Sequence, residues 1–348
     1  MLVVRMEERS LSLDMARVCE ILEKQGCRGR MVPHPEGVCI VAEEPREGTG
    51  EIAVLPGVRQ VICTGNSFPL GSRDMAPQKE SMELAPNLRI GGGNVVVMAG
   101  PCAVEGREQI LEAARGVKAA GASMLRGGAF KPRTNPYSFQ GLGHEGVALM
   151  AEARTETGLP IITEVMGVED IEGMLPHVDM FQVGARNMQN FSLLKALGRC
   201  RVPVLLKRGM TATVDEWLQA AEYILAGGNH RVVLCERGIR SFEKRTRNTL
   251  DLSVVPLVKS LSHLPIIVDP SHGTGLRDLV LPMSLAALSC GADGLIVEVH
   301  PRPSEALSDG AQSLDIPAFG DFMQKVEQLL PALQADPKEK TCPLKIAM

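Results

Sequence analysis

None of the nine cysteines stands in a CxxC pair, which removes the zinc ribbon and the dithiol redox motif from consideration. In a chain of 348 residues they read as reduced thiols of an intracellular protein. An excess of basic charge is also missing. Against 41 Asp and Glu stand 37 Lys and Arg, so a nucleic-acid surface is not expected and any anion binding must be local. The longest apolar stretch, VLPMSLAALSCGADGLIV (280–297), is interrupted by Pro282, two glycines and Asp293, and reads as helix, turn and buried strand, not a membrane span. The apolar start of MLVVRMEERS is too short for a signal peptide, so the expectation is a soluble, cytoplasmic protein. Aromatics are scarce, with one Trp, two Tyr and eight Phe, and none falls in the first 67 residues.

What is abundant is a rhythm. Between about 85 and 335, short Val- and Ile-rich runs recur eight times: NVVVMAG (94–100), SMLRGG (123–128), PIITEV (160–165), MFQVGA (180–185), PVLLKRG (203–209), RVVLCERG (231–238), PIIVDPSH (265–272) and GLIVEVH (294–300). Continuous apolar runs of this length suit strands buried on both faces of a parallel sheet. Amphipathic stretches separate them, among them REQILEAARGVKAAG (107–121) and TVDEWLQAAEYILAGG (213–228), the latter opening with Thr213 and Glu216 spaced as a capping box. Eight strand–helix units predict a closed (β/α)8 barrel. An open doubly wound sheet would favour a GxGxxG turn after its first strand, and AGPCAVEG does not supply one. The first 65 residues read β-α-β-β-(α)-β, a small ferredoxin-like α+β module, with Pro56 making the second helix short or absent. Residues 66–84 read as a linker, 85–335 as the barrel and 336–348 as an unassigned tail.

Barrel active sites form where the strands end, and these ends are polar. In order they carry Cys102; Arg126 with Lys131 and Arg133; Glu164; Arg186; Lys207 with Arg208; Glu236 with Arg237; Asp269 with His272; and Glu298. A single rim cation is usually a solvated charge. Cations at so many strand ends predict a substrate set bearing phosphates and a carboxylate. Cys102, His272 and Glu298 lie on strands one, seven and eight, neighbours once the barrel closes, and Asp309 can reach the same place. Thiolate, imidazole and two carboxylates would suit one divalent ion, Mn, Fe, Co or Zn. Taken one at a time, the same residues read as a buried thiol, a hydrogen-bonded loop histidine and a turn-forming aspartate.

AGPCAVE, LRGGAFKPRTNPYSFQGLG, TEVMG, QVGARNMQNF, LLKRGM, LCERGIRSFE, VDPSHGTG and EVHPRPSEALSDGAQSL, in that order at eight strand ends, resemble 3-deoxy-D-arabino-heptulosonate 7-phosphate (DAHP) synthase, in its compact type I branch with an N-terminal ferredoxin-like regulatory domain. The resemblance implies condensation of phosphoenolpyruvate with erythrose 4-phosphate, the first step of the shikimate pathway. It implies Cys102, His272, Glu298 and Asp309 as metal ligands, and Arg126, Lys131, Arg186, Lys207 and Arg237 around phosphoenolpyruvate. Arg133 and Thr134 match the erythrose phosphate site, and Lys131, Glu164 and His272 are the groups expected to place protons and water. The family's usual state is a tetramer, and inhibition would follow from tyrosine or phenylalanine binding between two such N-terminal modules and closing them over the barrel mouth. The GTG after His272 departs from the family pattern without replacing a ligand. Three alternatives compete: 3-deoxy-D-manno-octulosonate 8-phosphate synthase, whose loop typically reads Lys-Ala-Asn-Arg where this chain has Lys131-Pro132-Arg133-Thr134; a Schiff-base aldolase with Lys207 as nucleophile; and a non-catalytic metabolite sensor on a retired barrel.

Overall fold

The structure, a computed structural model, describes residues 1–43, 49–77, 81–132 and 135–334. Arg133, Thr134 and the tail 336–348 lie outside these residues. The first module runs β1 (Leu2–Met6), α1 (Ser12–Lys24), β2 (Arg30–His34), β3 (Gly37–Ala42), α2 (Thr49–Ala53) and β4 (Val58–Cys63), with sheet order β2-β3-β1-β4. That is the expected ferredoxin-like order, with a five-residue second helix. Strand alternation divides this sheet's side chains. Leu2, Val4, Met6, Ile40 and Ala42 pack with Val18, Leu22 and Ile52, while Val3, Val32, Cys39 and Ile62 join the core of the barrel.

The barrel closes in the order β10-β11-β12-β13-β14-β7-β8-β9. Its strands are β7 (Val96–Gly100), β8 (Met124–Arg126), β9 (Ile161–Glu164), β10 (Met180–Val183), β11 (Val204–Lys207), β12 (Val232–Glu236), β13 (Ile266–Val268) and β14 (Gly294–Glu298). A helix follows each: α3 (Arg107–Ala119), α4 (His144–Thr157), α5 (Val168–Met174), α6 (Phe191–Leu197), α7 (Val214–Leu225) and α8 (Val254–Leu261), then the short α9 (Pro270–Thr274) with α10 (Arg277–Ser289), and α11 (Ile316–Gln334). The (β/α)8 expectation is borne out, and α7 starts with the predicted capping box, Thr213 Oγ1 accepting from Glu216 N at 3.2 Å and Glu216 Oε2 from Thr213 N at 2.8 Å. Pro282 does not break its segment but sits inside α10. Among the described residues no helix is long and apolar enough to cross a membrane.

Two features of the floor of the barrel were not legible. A hairpin of β5 (Met82–Ala85) and β6 (Leu88–Ile90) inserts Leu84 and Ile90 among the inward residues Met98, Met124, Ile162, Leu205 and Ile267. It plugs the N-terminal end of the strands, and it straddles the boundary at 84/85 between the segment read as linker and the segment read as barrel. The module packs against the same end, where His230 Nε2 and Pro33 O lie 3.0 Å apart just before β12 and the His34 and His230 rings meet edge-on at 4.7 Å. In this structure the module is therefore seated at the N-terminal end of its own barrel, away from the mouth.

The segment joining the two parts is pinned, not loose. Both Glu222 carboxylate oxygens, on α7, accept backbone N–H groups at 2.9 Å, from Leu70 and from Gly71, while Ser262 Oγ donates to Gly71 O at 2.6 Å. Burial pushes the Glu222 carboxyl up to about 7, the two N–H donors only partly opposing it. Between the unfolded value near 4.5 and about 7 the folded chain holds a proton the unfolded chain has released, so this group's contribution to stability is lost as pH rises through that window. Glu222→Gln keeps an acceptor without the charge. Its melting temperature should fall less than the wild type's between pH 5 and 7.5; parallel curves for the two proteins would contradict this assignment.

Candidate active site

Counting by twos along each strand separates the rim residues. Met98, Met124, Ile162, Met180, Leu205, Cys235, Ile267 and Ile296 point into the barrel. The residues two or four positions further on are Cys102, Arg126, Glu164, Gln182, Lys207, Arg237, Asp269 and Glu298, so the pleat aims all eight at the same mouth. Arg208 and Glu236 have the other parity. They pair with each other at 3.0 Å, and Arg208 also reaches Asp251 at 3.0 Å, so these two strand-end charges belong to the layer between barrel and helices and not to the site.

A cavity of about 310 Å³ opens at this mouth. Six basic side chains line it, Arg126, Lys131, Arg186, Lys207, Arg237 and Arg247, against the carboxylates of Glu164 and Asp309. Arg126 is buried, donates from Nη1 towards Glu298 Oε1 at 3.3 Å, and leaves its buried Nε without a partner. An orphaned guanidinium N–H in a dry site calls for an anion. Among the described residues Arg186 and Arg237 form no ion pair, Arg186 standing exposed in the one-turn helix Ala185–Asn187 and Arg237 buried beside it in the cavity wall. Lys207 is different. Its Nζ lies 2.6 Å from Asp269 Oδ2, with both side chains buried. A Schiff-base role for Lys207 would first require that pair to break. Glu164 Oε2 accepts from Gln182 Nε2 at 3.0 Å, and Gly184 supplies the room: a side chain there would collide with Glu164 Oε1.

The second half of the mouth is a set of acceptors facing one another. One ligand atom each from Cys102, His272, Glu298 and Asp309 lies within 4.8 Å of all the others. His272 Nδ1 lies 2.8 Å from Asp269 Oδ2 and donates to it, which fixes the tautomer and leaves Nε2 as a bare lone pair. That lone pair faces Glu298 Oε1 at 3.3 Å and Asp309 Oδ2 at 3.8 Å. Burial holds the imidazole below its ordinary value despite Asp269 and Glu298. Burial alone would raise Asp269, but His272 and Lys207 overcome it and keep this carboxyl well below the usual range. Asp309, for which burial is likewise outweighed, by His272 and Arg247, titrates at about 2. Cys102 Sγ completes the set, 3.4 Å from Asp309 Oδ2 and accepting from Lys131 Nζ at 3.1 Å. Burial, with Glu298 adding, pushes the thiol up to about 12, so only a cation at this spot would make it a thiolate. The residues present therefore fit a divalent metal ion.

Every sequence-predicted site residue among those described thus faces one mouth: the four ligand candidates as a cluster, and Arg126, Lys131, Glu164, Arg186, Lys207 and Arg237 as the cavity wall. The roles of Asp269, Gln182, Arg247 and Gln312 were missed. Gln182 had a signal, a polar residue inside the apolar run MFQV with the inward parity. Arg247 and Gln312 had none: the first sits in a loop and the second ends the single 3-10 turn Gly310–Gln312.

Fold and rim together define an enzyme of the (β/α)8 class working at the C-terminal ends of its strands. The chain belongs to the DAHP synthetase I family, whose profile matches residues 73–335, in agreement with the resemblance drawn from the strand-end motifs. It is 43% identical over 334 residues, 95% of this chain and 98% of the relative, to a phospho-2-dehydro-3-deoxyheptonate aldolase of Thermotoga maritima. A 2-dehydro-3-deoxyphosphooctonate aldolase of Syntrophotalea carbinolica is 32% identical over 270 residues, 72% of this chain and 95% of the relative. The crystal structure of the Thermotoga maritima phospho-2-dehydro-3-deoxyheptonate aldolase (DAHP synthase) matches with a TM-score of 0.76 at 43% identity, covering 95% of this chain and 98% of that one. A truncated form of 3-deoxy-D-arabino-heptulosonate 7-phosphate synthase from the same organism matches with a TM-score of 0.72 at 47% identity, over 77% of this chain and 98% of its own.

Proposed function

We propose that the chain condenses phosphoenolpyruvate with D-erythrose 4-phosphate and water to give DAHP and phosphate, using one divalent metal ion held by Cys102, His272, Glu298 and Asp309. The observation that carries this is the meeting, at one barrel mouth, of a cradle of cations with four metal-ligand groups whose ligand atoms lie within 4.8 Å of one another. When bound, the ion would supply Lewis acidity to the aldehyde carbonyl of the four-carbon substrate. Phosphoenolpyruvate carries a phosphate and a carboxylate, and Arg126, Arg186, Lys207 and Arg237 offset that charge and fix its orientation through forked donors. Attack by C3 on the aldehyde carbon leaves an alkoxide to be protonated and a cationic C2 to be captured by water. Lys131, whose ammonium lies beside Cys102, is the proton donor in this reading. Glu164, anchored through one oxygen by Gln182, orients the water with the other. The captured water gives one proton to restore Lys131 and the other to the departing phosphate as the C2 carbonyl forms, which completes the balance. Arg133 and Thr134 are proposed to hold the erythrose phosphate.

Residues 1–65 are proposed as a regulatory domain that binds tyrosine or phenylalanine. With no aromatic side chain before Phe68, it would recognise the effector through aliphatic and polar groups. Because the domain sits at the floor of its own barrel, control would act between copies, in a proposed homotetramer. The test is phosphate release by metal-stripped protein with phosphoenolpyruvate, each of two aldoses and a panel of divalent ions. Release should require an added ion and erythrose 4-phosphate, and should fall with tyrosine or phenylalanine present. Preference for arabinose 5-phosphate would transfer the chain to the octulosonate reaction. Full activity in the presence of both amino acids would sink the regulatory reading alone.

A further inference from the structure

Resting on the proposed metal site, we infer that Arg247 is a positioning residue that makes Glu298 and Asp309 present one oxygen each to the metal. The loop between β12 and α8 is stitched to the turn carrying His272. Arg247 N donates to Thr274 O at 2.8 Å, Asn248 N to Gly273 O at 3.0 Å, and Asn248 Nδ2 to His272 O at 3.0 Å. The GTG that follows His272 is shaped by this seam. Gly275 has φ +70°, and a Cβ there would stand 2.6 Å from Arg247 Cβ; a Cβ on Gly273 would stand 2.6 Å from Leu250 Cδ1. The glycines let the loop close down, and the loop carries Arg247 to the edge of the cluster.

From that position Arg247 Nη1 lies 3.3 Å from Asp309 Oδ1 and donates to Gln312 Oε1 at 3.1 Å. Gln312 turns its amide nitrogen the other way, Nε2 donating to Glu298 Oε2 at 2.5 Å. The guanidinium fixes the sense of that amide, because a flipped Gln312 would set NH2 against N–H. The outer oxygens, Asp309 Oδ1 and Glu298 Oε2, are thus both occupied. The inner oxygens, Asp309 Oδ2 and Glu298 Oε1, are the ones that face His272 Nε2. A carboxylate held at one oxygen cannot swing to chelate with two. Arg247 and Asp309 are partly exposed, so the pair contributes little to folding. Its effect lies in orientation, which for groups bonded to metal ligands typically amounts to about 10–100-fold in metal affinity.

The test uses full-length, metal-stripped protein and Co(II) as probe, with dissociation constants from chelator competition. Arg247→Met should weaken Co(II) binding about 10–100-fold with an apo melting temperature close to wild type, and Arg247→Lys should recover part of the loss. Gln312→Met should weaken binding too, and the double variant should lose less than the two single losses multiplied, because both act through Glu298. The visible Co(II) bands should weaken in Arg247→Met as a released carboxylate chelates and raises the coordination number. Unchanged affinity and spectrum, with a raised KM for either phosphorylated substrate, would make Arg247 a substrate contact and overturn the inference alone. A wild-type protein that binds no Co(II), or binds it equally after Cys102→Ser, would overturn the metal reading and this inference with it.

Discussion

Cys102→Ser should reduce metal-dependent phosphate release by at least about a thousandfold and abolish the single tight Co(II) site, while barely moving the melting temperature of the stripped protein. The substitution is nearly isosteric. Cys102 is buried, 3.2 Å from Ser308 Oγ and within reach of Lys131, so a hydroxyl can occupy the same space. What changes is the ligand. A bound dication deprotonates a thiol outright, whereas a serine hydroxyl stays protonated and binds a soft or borderline ion weakly. With one ligand of four gone, His272, Glu298 and Asp309 alone would hold an ion far less tightly. Retained activity at saturating Mn(II) with undiminished Co(II) affinity would show that the thiol is not a ligand.

The second large effect is expected at Lys207. Its ammonium joins the two halves of the mouth: it lines the anion cavity and is paired with Asp269, which in turn orients His272. Lys207→Met removes a buried partner and leaves Asp269 with only His272 to offset it. Breaking a buried pair in this way costs about 3–5 kcal/mol of stability, and the lost charge and the misplaced imidazole together should lower kcat/KM for phosphoenolpyruvate by about a thousandfold or more. Arg186→Ala is the contrast. Arg186 is exposed and forms no ion pair among the described residues, so it should raise KM for phosphoenolpyruvate without lowering the melting temperature. Equal destabilisation by the two substitutions would refute the assignment of Lys207 as the structural bridge.

Much of this was legible because a (β/α)8 barrel is locally encoded. Eight buried strands of three to five residues, each set in a longer apolar run, announce themselves without any long-range information, and Thr213 with Glu216 announces the start of α7. The ligand candidates were readable because strands one, seven and eight must be neighbours in any closed barrel. Parity was readable but was not applied: Lys207 and Arg208 are adjacent, yet one faces the cavity and the other meets Glu236 and Asp251 outside it. The plug of β5 and β6 was hidden because MELA and LRI carry Glu83 and Arg89 and are not set in continuous apolar runs. The docking of the module depends on Pro33 meeting His230 across 197 residues, and the role of Arg247 depends on Gln312, 65 residues away. Contacts between loops leave no periodic trace in a sequence.

The most direct measurement is anomalous diffraction at the metal edge from crystals of metal-stripped protein soaked with Co(II). One peak should appear at the barrel mouth, within bonding distance of Cys102 Sγ, His272 Nε2 and one oxygen each of Glu298 and Asp309. A peak elsewhere, or an empty mouth in protein that nevertheless releases phosphate from phosphoenolpyruvate and erythrose 4-phosphate without added metal, would contradict it.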